Sequence, residues 1–448
     1  MASAPAFDPN KFYSGISQED WNSLTKNLYK PLINKAISNH YPPGSTIKPL
    51  VALAALEKGF DPNKRINCDG SYEIKDTSME KGTKSFHCWK NWPDHLGIKQ
   101  ERYSQMIDVG VVMLDAPVIS GEKTSQLFDS VGVPYEVWNS LDLSKSVTGI
   151  DVGKYWPPKT LSDDAFWEDA KESLGAIYTP NGGYIDDPLL ATENLAQAAI
   201  SAGVTFRFKS KVIAILQEGN KVIGVELDGN EKIFADVIVN AGGPWSNQIN
   251  QLAGVGKDFT ISVRPMRQEV HQITTPMNLL PGPIIGDLDL GTYMRSSPTG
   301  ATYIGGTEPE CDRLDWVDDV EAVNLNRTKE LFEAQVTRAA RRFPALKIPN
   351  TASGIAGIYD VAADWTPIYD RTELDGFYVA IGTSGNQFKN APMVGKLMTE
   401  LIEAVRAGRD HDVDPVKVRA ERTGNEINMA AFSRKRLFNA DNTGTVMG

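Results

Sequence analysis

The sequence is short of several things that would each have set its class. Only three cysteines, Cys68, Cys88 and Cys311, stand among 448 residues. That is too few for a disulfide scaffold, and neither Cys68 nor Cys88 has the C-x-x-C spacing of a zinc site, so no metal is expected. Positive charge is in deficit: 46 Lys and Arg against 57 Asp and Glu leave a formal charge of −11. A nucleic-acid or membrane-surface partner would need basic patches, so neither is expected. No apolar run approaches the roughly 18 residues of a membrane-spanning helix, and the longest, around Leu50 to Leu56, is far shorter. The opening MASAPAFDPNKFYSG has no basic segment followed by an apolar one, so no signal peptide is read and a cytoplasmic location is expected. The G-x-G-x-x-G turn that seats a dinucleotide pyrophosphate on a helix N-terminus is also absent from the whole sequence.

What is present divides into two texts. Hydrophobic content of 41% and charged content of 23% are ordinary for a globular chain, and the length allows two or three domains with a large core. Residues 1 to about 90 are rich in turn signals. From about 90 onward, strand and helix patterns alternate. The changeover falls within FHCWKNWPDHLG, with no Pro/Gly/Ser spacer of the kind that separates domains.

In the first text the strongest signal is YPPGSTIKPLVALAALEKG. Pro42, Pro43 and Gly44 make a turn, and the apolar run after Lys48 suits a buried helix. Ser45 then sits at the helix start with Lys48 one turn later on the same face. This S-x-x-K arrangement places a serine nucleophile at the positive end of a helix, with a lysine as proton acceptor. With FDPNKF, PLINKAISNH and INCDGSY…FHCWK, the segment resembles the transpeptidase domain of class B penicillin-binding proteins. The resemblance implies that Ser45 is the acylated serine and Lys48 its base. The further elements of that family are not matched. Ser384-Gly385-Asn386 spells S-x-N inside an unrelated motif, and Asn442-Thr443-Gly444 lacks the lysine of K-T-G.

In the second text, Asp187 can cap a helix whose first residue is Pro188, with Leu189, Leu190, Leu195, Ala198 and Ala199 on its apolar face and Gly203 at its end. A hairpin around Asp228-Gly229 precedes a buried strand, Asp236 to Asn240, that runs into Ala241, Gly242 and Gly243. Small residues there let a backbone approach a ligand closely. Near the end, the apolar strand Phe377 to Ile381 enters a turn with Gly382 and Gly385, and a helix starts near Ala391-Pro392. The N–H groups of that turn and of the helix start concentrate positive potential, which suits a ring that gains negative charge on reduction. Lys389 adds a full charge.

YWPPK, GGYIDDP, VIVNAGGPWS, RPMRQEVH, GGTEPECD, DWTPIYDR and GFYVAIGTSGNQFKNAP together resemble the D-amino-acid-oxidase-type flavoproteins, in the branch near sarcosine oxidase and dimethylglycine dehydrogenase. The resemblance covers about 91 to 448. It implies a mixed α/β fold in which an FAD-binding, Rossmann-like domain is interleaved with a mixed-sheet substrate domain. That FAD domain is incomplete here, since the family's N-terminal strand and glycine turn are missing. Residues 1–90 would form the small transpeptidase-like fragment. The implied reaction oxidises the C–N bond of a small, N-methylated amino acid or amine by hydride transfer to FAD. By the same resemblance Val212 meets the adenine, Ala241, Gly242 and Gly243 line the ADP path, and Gly382 with Gly385, Asn386, Gln387 and Phe388 cradles the flavin pyrimidine end. Lys389 aligns with a lysine that holds the substrate carboxylate. Arg295 on GTYMR reads either as a second carboxylate partner or as a solvated strand-end residue. His271 reads as structural or catalytic, and Tyr359 with Asp360 as substrate-facing or packing. Loss of the dinucleotide-binding unit is expected to impair this flavin site; the alternative readings are a non-functional chimera of two joined genes and a penicillin-binding transpeptidase fragment acylated at Ser45.

Overall fold

The computed structural model describes residues 84–275, 282–419, 426–438 and 445–446. Helices α1 (Lys84–Lys90) and α2 (Trp92–Leu96) lead into β1 (Met106–Asp108), β2 (Val111–Leu114), α3 (Gly121–Val131), β3 (Glu136–Trp138), α4 (Ser140–Ser146), β4 (Ala176–Thr179) and β5 (Gly183–Ile185). Helix α5 (Pro188–Ser201) feeds a meander of β6 (Val212–Glu218), β7 (Lys221–Leu227) and β8 (Lys232–Phe234), then β9 (Ile238–Asn240), α6 (Ser246–Ala253) and the long β10 (Val263–Thr274). There follow β11 (Ile284–Asp287), β12 (Thr292–Ser296), β13 (Ala301–Gly306), β14 (Asp315–Trp316), α7 (Lys329–Arg342) and β15 (Gly354–Ala362). The chain closes with β16 (Ile368–Arg371), β17 (Phe377–Ile381), α8 (Ala391–Arg406), β18 (Lys417–Arg419) and β19 (Glu426–Asn428).

Two sheets position the site. The larger has nine strands, with β15 paired to β10 beside the path β14-β10-β13-β12-β11-β2-β4-β3. It is mixed: β11 and β2 run parallel, while β10 is antiparallel to β13, β14 and β15. The smaller has the order β16-β17-β9, with β17 and β9 parallel. All five residues of β17 are buried, the continuous apolar run required of a strand covered on both faces. Helix α8 covers it through Val394, Leu397, Met398, Leu401 and Ile402 at three- and four-residue spacing. That spacing places them on one helical face.

Period-two alternation gives the large sheet two unlike faces. Arg267, Glu269, His271 and Ile273 of β10 are buried on the side covered by α7, whose Phe332, Val336 and Ala339 join Ile273, Ile285, Met294 and Ile304 in one core. Thr328 starts α7 by accepting the Leu331 N–H at 3.4 Å. Fully buried Arg342 then ties the helix to the sheet. Its Nε donates to Asp287 at 2.7 Å and its Nη2 to Asp289 at 2.8 Å, while Nη1 donates to the carbonyls of Asp151 and Gly153. The other face carries Met266, Gln268 and Val270. Cross-strand register adds Tyr359 opposite Met266, Tyr293 opposite Gly305, and Arg295 opposite Tyr303.

Helix α5 begins at Pro188, and the Asp187 carboxylate accepts the Leu190 N–H at 2.9 Å. It ends at Ser201, two residues before Gly203, whose φ of 96° turns the chain. Among the described residues no helix is long and apolar enough to cross a membrane.

Candidate active site

The loop between β17 and α8 has an unusual backbone. Gly382, Ser384 and Gly385 have φ of 69°, 49° and 73°, the left-handed region that turns successive N–H groups toward one side. Three contacts fix it. Thr383 donates its hydroxyl to Asp360 Oδ1, the Ser384 N–H donates to the Asp360 carbonyl at 2.9 Å, and Gly385 lies against Tyr359. A Cβ built on Gly385 would fall 2.4 Å from Tyr359 Cε2, so this close approach requires glycine. Further along, Tyr369 donates its hydroxyl to Gln387 Oε1 at 3.0 Å, and Gln387 Nε2 donates to Asn386. Asp360 Oδ2 is buried with no hydrogen-bond partner among the described residues, and burial pushes its carboxyl above the ordinary value.

Lys389 follows, in the short turn Phe388–Asn390 before α8. Its side chain reaches solvent, yet desolvation by the surrounding protein holds the ammonium below the usual lysine value. Its carbonyl accepts the Trp89 indole N–H at 3.0 Å. The Trp89 ring stacks on Phe388 at 5.1 Å with 8° between planes and touches Trp92 at 4.5 Å. The expected boundary at 90/91 therefore runs through one aromatic cluster, shared by Trp89, Trp92, Leu96, Ala191, Ala391 and Phe388.

The turn after β9 is held by buried Asn240. Its Oδ1 accepts the Gly242 N–H at 3.0 Å, and its Nδ2 donates to the Ser246 carbonyl at 2.9 Å and to Asn250 at 2.8 Å. Gly243 has φ 55°. Val212 opens β6, paired with Leu227. Ala241, Gly242 and Gly243 follow the end of β9, as the sequence placed them, and Val212 is the first residue of β6.

Arg295 is not a solvated strand-end residue. Its guanidinium lies between the rings of Tyr184, at 4.1 Å, and Tyr303, at 4.7 Å, and desolvation lowers its pKa. Next to it, the phenols of Tyr293 and Tyr359 influence one another. Burial pushes Tyr293 up to about 12 and Tyr359 well above its ordinary value. His271 stands elsewhere, on the α7-covered face. It is fully buried, edge-on to Phe332 at 5.3 Å, with Nε2 3.4 Å from Glu269 Oε2. Desolvation first of all lowers its pKa. Strand alternation separates it from Tyr359, Arg295 and the loop, so the geometry favours its structural reading. Ser45 and Lys48 lie outside the described residues.

Tyr293, Gln268, Glu308 and Trp89 were not singled out from the sequence. Tyr293 had a signal, standing two residues before Arg295 on the same strand and so on the same face. Glu308 had none, since its place depends on pairing between distant strands.

This arrangement fits one end of a flavin dinucleotide well. The left-handed loop and the N-terminus of a 16-residue helix present N–H groups to an electron-rich ring, and the glycines at 242, 243 and 385 leave room where a Cβ would not fit or the φ would be strained. The glycine-rich turn for the pyrophosphate has no counterpart in the sequence.

Known proteins place the chain. The FAD dependent oxidoreductase family matches residues 130–401, more than half of the 448 residues, and the chain belongs to that family. The penicillin binding protein transpeptidase domain matches residues 1–95. Among curated relatives, the mouse (Mus musculus) FAD-dependent oxidoreductase domain-containing protein 1 is 29% identical over 184 residues, covering 37% of this chain and 35% of that protein. The chain thus spans about a third of that relative's length. Peptidoglycan D,D-transpeptidase MrdA of Acinetobacter baumannii is 48% identical over 60 residues, 13% of this chain and 9% of MrdA. Of solved structures, L-proline dehydrogenase from P. horikoshii superposes with a TM-score of 0.57 at 22% identity, covering 73% of this chain and 78% of that one. Glycine oxidase from Bacillus cereus gives 0.54 at 20%, covering 74% and 82%. These likenesses show the fold expected from the sequence: a mixed α/β architecture shared with L-proline dehydrogenase and glycine oxidase.

Proposed function

We propose that the chain is an FAD-dependent oxidoreductase that oxidises the C–N bond of a small amino acid. The carrying observation is the contact between Gly385 of the loop and Tyr359 of the large sheet. It sets the flavin-type loop against the sheet face that bears Arg295, Tyr293 and Tyr359. Gly382 to Phe388 would cradle the pyrimidine end of FAD, Ala241 to Gly243 the ADP path, and Val212 the adenine. Bound FAD would supply a hydride acceptor for the carbon alpha to the amine, the amine proton passing to solvent and the resulting imine then hydrolysing. Arg295, desolvated between two tyrosine rings, is suited to a carboxylate, because an arginine fork pairs two oxygens at once. Lys389 would add charge at the loop side of the same substrate, and its alignment in the resemblance favours an N-methylated amino acid.

The test is retention of flavin. The full chain is incubated with excess FAD, desalted, and exposed without oxygen to a panel of glycine, sarcosine, dimethylglycine, L-proline and the simple amines dimethylamine and pyrrolidine. Yellow colour at about one flavin per chain, bleached by an amino acid and not by simple amines, supports the reading. A second reading, a product of two joined genes without flavin chemistry, is favoured by the missing G-x-G-x-x-G. A folded protein that retains no FAD would select it.

A further inference from the structure

Glu308 follows β13 on the face that bears Arg295 and the tyrosines, and the reading above does not use it. Its backbone is left-handed, with φ 51°, at a residue type that rarely adopts that region. Gln268 donates Nε2–H to Glu308 Oε1 at 2.8 Å, and the Val446 backbone N–H donates to Oε2 at 2.9 Å. The Glu308 charge is felt by both Tyr293 and Tyr359, and Tyr293 also feels Arg295. The face therefore holds a cation and a carboxyl with a phenol influenced by both. Burial pushes the Glu308 carboxyl up to about 8; the Val446 N–H opposes the rise and neighbouring Asp312 adds to it. Among the described residues, an ionised carboxylate there has no ion-pair partner.

A ligand with an ammonium or amine at one end and a carboxylate at the other has the complementary charge pattern. We propose that Glu308 recognises the amino group of the substrate, while Arg295 takes its carboxylate. This rests on the amino-acid reading of the site. A carboxylate offers about four lone-pair positions, and the bonds from Gln268 and Val446 leave others for the ligand. The Val446 amide shows that an N–H donor is accommodated at Oε2. Gln268, from β10, fixes the carboxyl plane so that it does not rotate away. The role is one of substrate recognition: it selects amino acids over acids of the same shape that lack nitrogen.

The experiment compares two ligand pairs matched in shape: L-proline with cyclopentanecarboxylate, and sarcosine with butanoate. Dissociation constants are measured by calorimetry on the FAD-loaded full chain, with the flavin reduced beforehand so that no ligand is consumed. In Glu308→Gln the amino acids are expected to weaken about tenfold or more, the loss of a charge-assisted hydrogen bond, while the nitrogen-free acids stay within about twofold. Unchanged binding of those acids also shows that the variant is folded. Arg295→Met is expected to weaken both members of each pair. Equal weakening of both members in Glu308→Gln, or no change in either, overturns the proposal and leaves the amino-acid reading standing. If neither amino acid binds the unaltered protein and the panel bleaches no flavin, the amino-acid reading fails and this proposal fails with it.

Discussion

Replacing Gly385 with alanine probes the joint between the loop and the sheet at its tightest point. Two separate costs arise. The residue's φ of 73° is left-handed, which costs an L-residue with a Cβ roughly 1–2 kcal/mol. The new methyl would also stand 2.4 Å from Tyr359 Cε2 and 2.7 Å from Cδ2 and Cζ, and such overpacking costs roughly 1–3 kcal/mol. The sum is roughly 2–5 kcal/mol, measured as the loss of unfolding free energy in urea. Removing the ring separates the two contributions. In a Tyr359→Ala background the overlap disappears and only the backbone cost, roughly 1–2 kcal/mol, is expected to remain. FAD affinity, followed by flavin fluorescence, should fall in Gly385→Ala and partly return in the double variant, because the loop regains its path. A cost for Gly385→Ala that is the same in both backgrounds, within about 0.5 kcal/mol, would refute the reasoning. The contact with Tyr359 would then not be what holds the loop.

Three further outcomes are expected. Arg342→Met should destabilise the fold by roughly 3–5 kcal/mol, because it leaves the buried carboxyls of Asp287 and Asp289 without their cation. Burial already raises the Asp289 carboxyl above its ordinary value and Arg342 opposes that rise, so without the cation the penalty measured by denaturation should grow from pH 5 to pH 8. Glu308 has a folded pKa of about 8 against an ordinary 4.5, so between those values the native state binds more protons than the unfolded state. Stability should therefore fall as pH rises through that window, and the fall should be shallower in Glu308→Gln. Of its neighbours, Tyr293 ionises higher, at about 12, and Asp312 is paired with Arg338 at 2.6 Å. Finally, His271→Leu should alter unfolding free energy without changing ligand dissociation constants, because the ring lies on the face away from Tyr359 and Arg295; a tenfold loss of ligand affinity would count against that placement.

Local chemistry made part of this structure legible in the sequence. Asp187 and Pro188 announced the start of α5, the apolar run 377–381 coincides with β17, and Pro392 stands in the first turn of α8. Asp228-Gly229 marked the hairpin of β7 and β8. Each of these depends on residues within a few positions of one another. The substrate-facing surface was less legible because it is assembled by register. Gln268, Tyr293, Glu308 and Tyr359 come from segments spanning some 90 residues, and nothing local states that Met266 faces Tyr359 or that Tyr293 faces Gly305. Arg295 shows the same limit. As a sequence feature it could equally have been a solvated strand end; only the rings of Tyr184 and Tyr303, reached through pairing and packing, make it a held cation. For His271, the strand was read correctly and the facing side was the missing information.

The stack of Trp89 on Phe388 has a practical consequence for anyone dissecting the gene. A truncation beginning at residue 91 is aimed at the transpeptidase-like segment alone, yet it also removes the indole that caps the Lys389 carbonyl and half of the aromatic clamp on the loop. An inactive product from that cut would report a damaged loop rather than a chain without chemistry. The incision belongs before Lys84, where helix α1 begins, so that the oxidoreductase portion keeps the tryptophan it shares with its neighbour in sequence.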